Sequence, residues 1–427
     1  MKFPSFKLAC LSLALFCHTH QGQASAGGMP SQKLDTLGME ISAEEAAAIQ
    51  SAIGSAREIS RIAQTQNGLP YRRDAHAKAT GCVRALFSIN SDIPEQFQHS
   101  LFSEPEREYQ AWIRFSNGDM LVRPDGKPDA RGMAVKVMGV EGDPIAEELG
   151  HAGTQDFIMT NTPAFFNRNI HDYADNMQHL AKLDRTGWFI SLWPPRLHLT
   201  EMIRARETIS SRIQTPLAEQ YFSMLPYRLG ETPLKFSARP CPGSSYSATV
   251  SQDTDDFLTR QMADTLSEGA ACFDFLVQPQ TDVSAMPLDD ATVIWPESES
   301  PFQAIARIRI PPQTVTGDAQ QAFCENLSMN PWHGVGEWQP LGSLNRARRL
   351  VYNAVSEYRH RQNEIPQVEP SNWCLPGDPT PCTPDQGLRV RKPVWPLPRC
   401  FDPNFVPVDG NPVDSRCGDS NYADRGY

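Results

Sequence analysis

Past its N-terminus this chain has no apolar run near the about 18 residues that would span a bilayer, so no later transmembrane segment is expected. None of its ten cysteines forms a C-x-x-C pair, which argues against a structural zinc site. Positive charge is in deficit, with 39 Lys and Arg against 50 Asp and Glu, and such a chain is a poor partner for nucleic acid. No internal repeat is visible, so the fold has to be read as a whole.

The first residues read as a secretory signal peptide. Lys2 and Lys7 precede an apolar run from Leu8 to Phe16, followed by the small-residue stretch Gln23-Ala24-Ser25-Ala26, with cleavage expected after Ala24 or Ala26. The mature protein is then secreted or periplasmic, and losing Lys2 and Lys7 moves its formal charge from −11 to −13. Cys10 and Cys17 leave with the leader, and the eight cysteines that remain can form disulfides in an oxidising compartment. The division expected is a leader at 1–26, a main domain at 27–362 and a tail at 363–427. That tail holds 12 of the 36 prolines and four cysteines. So much proline excludes long helices and central strands, and Cys374, Cys382, Cys400 and Cys417 are expected to be oxidised and to tie the tail down. Cys82, in an apolar strand, reads instead as a buried thiol.

Between leader and tail, Ser42 and Glu45 form a capping box that opens an Ala-rich helix running to about Gln64. Strand patterns follow at 81–90, 109–116, 131–140, 155–160, 272–278 and 303–311. In the last, Ala306, Ile308 and Ile310 alternate with Arg307 and Arg309. Helical patterns cover 200–213 and 344–361. Strands and helices are grouped rather than alternating, which predicts an antiparallel α+β fold.

Four stretches carry side chains suited to chemistry. Along 344–361, Arg348 and Arg359 fall within about 40° of Tyr352 around the helix axis. This is either a solvated basic face or a site where cations stabilise a phenolate, a hard anionic ligand suited to ferric haem. Arg73-Asp74-Ala75-His76 precedes the first strand, and a histidine there is either structural or an acid–base group of ordinary pKa near 6.5. In Trp112-Ile113-Arg114-Phe115-Ser116-Asn117, strand parity turns Arg114 and Ser116 to one side. They are a wet strand face, or an arginine for a carboxylate and a hydroxyl that fixes a histidine ring. Phe165 and Phe166, after Thr160-Asn161-Thr162-Pro163, are core or the flat wall of a planar cofactor.

Taken in order, these stretches resemble the haem catalase superfamily. Arg73…His76-Ala77-Lys78 resembles its distal-histidine motif, and Arg114-Phe115-Ser116 its supporting strand. Asp129 to Lys136 resembles the RDPRGFAVK signature, Thr160 to Phe166 the NNTPxFF segment, and Arg348-x-x-x-Tyr352 with Arg359 the proximal haem-ligand helix. The resemblance implies an eight-stranded antiparallel β-barrel with surrounding helices and haem b in the ferric state. It implies Tyr352 as iron ligand, held as phenolate by Arg348, and Arg73, Arg114 and Arg359 as partners of the haem propionates. His76 is then the distal acid–base, Ser116 holds its ring, Phe165 lies by the haem, and Asp129 lines the peroxide channel.

The chain also departs from that pattern. Thr160 stands where the family has an asparagine over the iron, and Ala75 replaces a valine and should widen the way in. Asn330-Pro331-Trp332-His333, Leu341 to Arg346 and Met286 to Asp290 are similar to the short catalase-related haem peroxidases, with His333 structural. The activity implied is reduction of hydrogen peroxide or organic hydroperoxides by an electron donor, with homo-oligomerisation possible. The alternatives are a lipid hydroperoxide isomerase or lyase resembling allene oxide synthases, with the run Gly187 to Trp193 as acyl contact, core or subunit contact, and a non-enzymatic haem binder. Replacing the asparagine by Thr160 predicts peroxidase turnover at the expense of oxygen evolution.

Overall fold

A computed structural model describes residues 41–149, 153–193, 195–246 and 249–375. The expected leader at 1–26 and Cys382, Cys400 and Cys417 lie outside the described residues. The helices are α1 (Ala43–Asn67), α2 (Ile170–Ala181), α3 (Leu199–Ile209), α4 (Phe257–Glu268), α5 (Asp318–Asn326) and α6 (Ser343–Asn363). The first strands are β1 (Ala79–Ile89), β2 (Glu108–Asn117), β3 (Arg131–Met138), β4 (Thr154–Thr160), β5 (Ile190–Leu192) and β6 (Pro195–Leu197). They are followed by β7 (Tyr221–Phe222), β8 (Tyr227–Leu229), β9 (Thr232–Pro240), β10 (Ala271–Pro279), β11 (Gln303–Ile310) and β12 (Trp338–Pro340).

Eight of these strands close on themselves. The ring runs β1-β2-β3-β4-β7-β9-β10-β11 and back to β1, every pair antiparallel. β8 and β12 extend the sheet from β9, and β5 and β6 form a separate hairpin. The expected α+β fold with an eight-stranded antiparallel barrel is therefore present. Period-two parity explains its filling: Phe87, Phe115, Val135, Phe157, Phe275 and Ile308 all turn into one apolar core. Phe157 packs its ring 4.7 Å from that of Phe275 and 5.6 Å from that of Phe87. The same parity sends Cys82, Trp112, Arg114, Ser116, Lys136 and Thr160 to the outer face of β1 to β4.

That outer face is covered, so these strands are buried on both sides. α5 packs there through Phe323 and Cys324 against Cys82 and Trp112. Cys82 is accordingly not a free thiol: it is disulfide-bonded to Cys324, a partner 242 residues away. Parity exposes its sulfur on the outside of the barrel, where α5 brings Cys324. A second disulfide joins Cys241 and Cys272, and Cys374 is also disulfide-bonded.

The opening residues of the Pro-rich tail pack on this same face. The Trp373 indole nitrogen lies 3.2 Å from both Ala85 O and Ala111 O, and Glu369 reaches Lys136 Nζ at 2.7 Å. α1, α2 and α6 form a separate layer through Ile49, Ile53, Ala174, Val351 and Val355. The Ser42 hydroxyl caps α1, accepting from Glu45 N at 3.1 Å, as the capping box predicts. Glu45 then grips Arg346 of α6 with both carboxylate oxygens, at 2.7 and 2.9 Å.

Candidate functional site

Ser116, Gly132 and Thr160 are successive cross-strand partners, so they form one row across β2, β3 and β4. His76 stands over this row. Its backbone is left-handed, with φ +57°, a conformation rare outside glycine. Hydrogen bonds hold it there: His76 N donates to Gly118 O at 3.0 Å, and His76 O accepts from Arg114 Nη2 at 2.9 Å. Its Nδ1 lies 3.0 Å from Ser116 Oγ. Gly132 makes this possible, because a Cβ there would come within 2.7 Å of both His76 Nδ1 and Ser116 Oγ. Burial, and then the charges of Arg114, Arg73 and Arg348, lower the His76 pKa to about 4. The ring is therefore neutral across the physiological range, with one nitrogen free to accept a proton.

Thr160 turns aside from that ring. Its hydroxyl lies 3.3 Å from Thr162 Oγ1 and 3.5 Å from Thr162 O, satisfied within its own loop. Asn161 points elsewhere too: its amide nitrogen donates to Ser211 Oγ at 2.8 Å and Glu219 Oε2 at 3.3 Å, and its oxygen accepts from Arg131 N. Asp129 accepts from Asp119 N and Ala130 N, next to the Gly118 whose carbonyl holds His76.

The second wall of the site comes from α6. Gly342 precedes it with φ +84°, and a Cβ there would stand 2.6 Å from Leu288 O. Asp289 Oδ1 takes the first helical amide, Ser343 N, at 2.7 Å, so the helix begins at a fixed place. One turn on, Arg348 Nη2 donates to Tyr352 Oη at 3.1 Å, and its Nη1 reaches Asn345 Oδ1 at 3.0 Å and Tyr227 Oη at 3.4 Å. Burial opposes the Arg348 charge, but Tyr352 and Tyr227 more than offset it, so its pKa is raised. The helical spacing thus brings Arg348 and Tyr352 into contact.

Two residues of this region escaped the sequence reading. Burial drives the Tyr173 hydroxyl pKa well up, with Asp74 and Tyr352 adding to it, so the phenol is within electrostatic reach of both. Asp74, beside His76 in sequence, is raised by burial to about 6. Tyr173 stands one turn into α2, whose N-cap Asn169 was the available signal. Phe165 lies 4.5 Å from the Phe166 ring and 6.2 Å from Tyr173, in a small cluster with Leu225, Ala291 and Leu344.

The third component is a surplus of buried positive charge. Arg72, Arg73 and Arg114 approach Glu325 at 3.3, 3.4 and 4.0 Å, and Arg359 Nη1 donates to Glu325 O at 2.6 Å. Four guanidinium groups thus share one carboxylate and the carbonyls that end α5, the negative end of its dipole. Burial first, and neighbouring guanidinium charge next, push Arg114 down to about 9 and lower Arg73 and Arg359. Arg114 Nε, buried, has no hydrogen-bond partner among the described residues. Glu325 is a third residue missed: nothing in its local sequence marks it.

Comparison with known proteins bears on the fold. Residues 59–188 match the family model Catalase. Catalase B of Staphylococcus xylosus and a catalase of Staphylococcus saprophyticus are each 31% identical over 117 residues, 27% of this chain and 21% of theirs. Among solved structures, a fungal catalase has a TM-score of 0.52 at 16% identity, over 71% of this chain and 63% of that one. Catalase A from Saccharomyces cerevisiae gives 0.51 at 16% identity, over 72% and 65% of the two chains. The chain spans about a fifth of the curated relatives it matches and just under two thirds of these two solved chains. The fold is that of the catalases, and the sequence match to the Catalase family model lies in residues 59–188.

Proposed function

We propose that the chain is an exported, haem b-dependent peroxidase that reduces hydrogen peroxide or organic hydroperoxides with an external electron donor. The observation that carries this reading is the buried guanidinium surplus beside His76. A dianion such as the paired propionates of haem supplies the charge that Arg73, Arg114 and Arg359 lack, in the planar geometry guanidinium favours. Tyr352, with Arg348 on its oxygen, is suited to ligate ferric iron as phenolate. Phe165 and Tyr173 offer aromatic surface for the ring system. Haem, when bound, supplies the redox chemistry that breaks the peroxide O–O bond.

The remaining steps belong to this chain's own side chains. With His76 Nδ1 donating to Ser116 Oγ, Nε2 keeps its lone pair and takes the proton from the incoming hydroperoxide. It returns that proton to the departing oxygen, so that water or an alcohol leaves. Neutrality of the ring favours the first transfer, and the hydrogen bond to Ser116 keeps the ring aimed through both.

The peroxidase reading over dismutation rests on Thr160 and Asn161. Dismutation needs a second peroxide held and oxidised at the same place, and an amide beside the histidine is a suitable holder. Here the Thr160 hydroxyl is committed to Thr162 and the Asn161 amide to Ser211 and Glu219. Donors then have longer to act, with access past exposed Ala75. The test is product analysis on the purified haem-loaded protein, with and without a dye donor. Donor-dependent peroxide consumption with little oxygen is expected. Rapid oxygen release would overturn the peroxidase reading, and donor-free rearrangement of a lipid hydroperoxide would make the chain an isomerase instead.

A further inference from the structure

The segment from residue 179 to 212 is built inside out. In the β5–β6 hairpin the cross-strand partners Ile190 and Leu197 are both exposed, and Leu192 and Trp193 near its tip are 92% and 89% exposed. α3 continues the pattern. Leu199, Ile203 and Ile209 are exposed, whereas its buried residues are Glu201 and Thr208. Glu201 pairs inward with Arg168 at 3.1 Å. An ordinary surface helix puts these classes the other way round.

The hairpin is held rigidly on its base. Buried Trp188 stacks on the His198 ring with centroids 4.3 Å apart, His198 N donates to Phe189 O at 2.9 Å, and Arg196 pairs with Asp175 at 3.3 Å. Residues 179–212 hold six Lys and Arg against three Asp and Glu, in a chain of net charge −11. Arg185, Arg196 and Arg204 pair with Asp119, Asp175 and Glu207, while Lys182, Arg206 and Arg212 make no ion pair among the described residues.

We propose that this hairpin and the outer face of α3 form a peripheral docking surface for an anionic lipid bilayer. Trp193 and Leu192 enter the headgroup boundary, where indole is at home, and the basic side chains lie against the headgroups. A symmetric pair of copies would set two basic patches face to face, so the charge favours lipid over self-association. The inference does not depend on the cofactor reading.

The test is co-sedimentation of the full chain with phosphatidylcholine vesicles, with and without phosphatidylglycerol. Binding is expected to rise at least about tenfold with the anionic lipid and to weaken as salt shortens the Debye length. The double variant Leu192→Glu/Trp193→Glu should lose at least about tenfold in vesicle binding while keeping the wild-type unfolding midpoint in solution. Lys182→Glu/Arg206→Glu should lose the preference for anionic lipid. Wild-type protein that ignores anionic vesicles would overturn the proposal. So would a double variant that still binds them, or a concentration-dependent dimer abolished by the double variant without vesicle binding.

Discussion

Two buried charge clusters sit on the outer face of the same barrel and differ in one respect. In the first, Lys136 Nζ is held by Asp156 at 2.9 Å and Glu369 at 2.7 Å, with His333 Nδ1 2.8 Å from Asp156 Oδ2. Burial opposes the Lys136 charge, yet the two carboxylates more than restore it and hold its pKa above the usual value. In the second, Arg73, Arg114 and Arg359 gather around Glu325 and are all lowered. The first cluster has matched its cation with carboxylates of its own chain, two for one. The second has not, and buried charge without a counter-charge is costly unless something else arrives. The sign of the surplus charge thereby separates the two clusters.

The largest effect expected falls on neither cluster but on the histidine between barrel and arginines. His76→Gln should lower kcat/KM for peroxide by about a hundredfold to ten-thousandfold, the range for a lost acid–base group, with haem content unchanged. Steady-state kinetics at matched haem loading checks it. Near-wild-type rates would remove His76 from the mechanism.

The clusters themselves should respond oppositely. Lys136→Met leaves Asp156 and Glu369 buried without their cation and should cost about 3–5 kcal/mol in stability, with turnover per folded molecule kept. Urea unfolding measures the first, and active-site-normalised rates the second. Arg114→Met, conversely, relieves repulsion in the haem-free protein and should leave its unfolding midpoint unchanged or raised. It should weaken haem affinity by about tenfold to a hundredfold, the worth of a lost charge-assisted hydrogen bond. A strongly destabilised haem-free Arg114→Met would erase the distinction between the clusters.

Thr160→Asn addresses the balance of activities. If the restored amide recovers a transition-state contact of about 2 kcal/mol, oxygen release should rise roughly thirtyfold relative to donor oxidation. Parallel oxygen-electrode and dye assays decide it. The smallest effect is on pH dependence. Burial is the first cause of the lowered His76 pKa and persists when a cofactor pairs with the arginines, so the ring stays neutral below its ordinary 6.5. Peroxide cleavage should therefore hold through pH 6, and an acid limb at 6.5 would contradict the neutral-histidine account.

Much of the site was legible because its residues lie in short local patterns. The stripe of Arg348, Tyr352 and Arg359 follows from helical spacing, and the shared side of Arg114 and Ser116 from strand parity. The barrel's interior could be read wherever alternation was clean, as at Ala306, Ile308 and Ile310. Long-range partners were not legible. Cys82 and Cys324 meet only because β1 is overlaid by α5, and Glu325 earns its role only from the arginines that converge on it. β9 was missed because it contains Pro233 and Pro240, whereas α2 was overlooked although Ile170, Ala174 and Met177 recur at helical spacing behind the Asn169 cap. The hairpin at β5 and β6 was noticed as an apolar run, but burial of Trp188 and exposure of Trp193 in the same run needed coordinates.

The most direct test of the unpaired cluster as a cofactor site is the ultraviolet–visible spectrum of purified, haem-reconstituted protein beside that of Tyr352→Phe. Wild-type protein should take up one haem per chain and show the charge-transfer bands of a tyrosinate-ligated ferric centre, and the variant should lose the haem or those bands. Failure of the wild type to bind haem, or an unchanged ferric spectrum in Tyr352→Phe, would contradict the account.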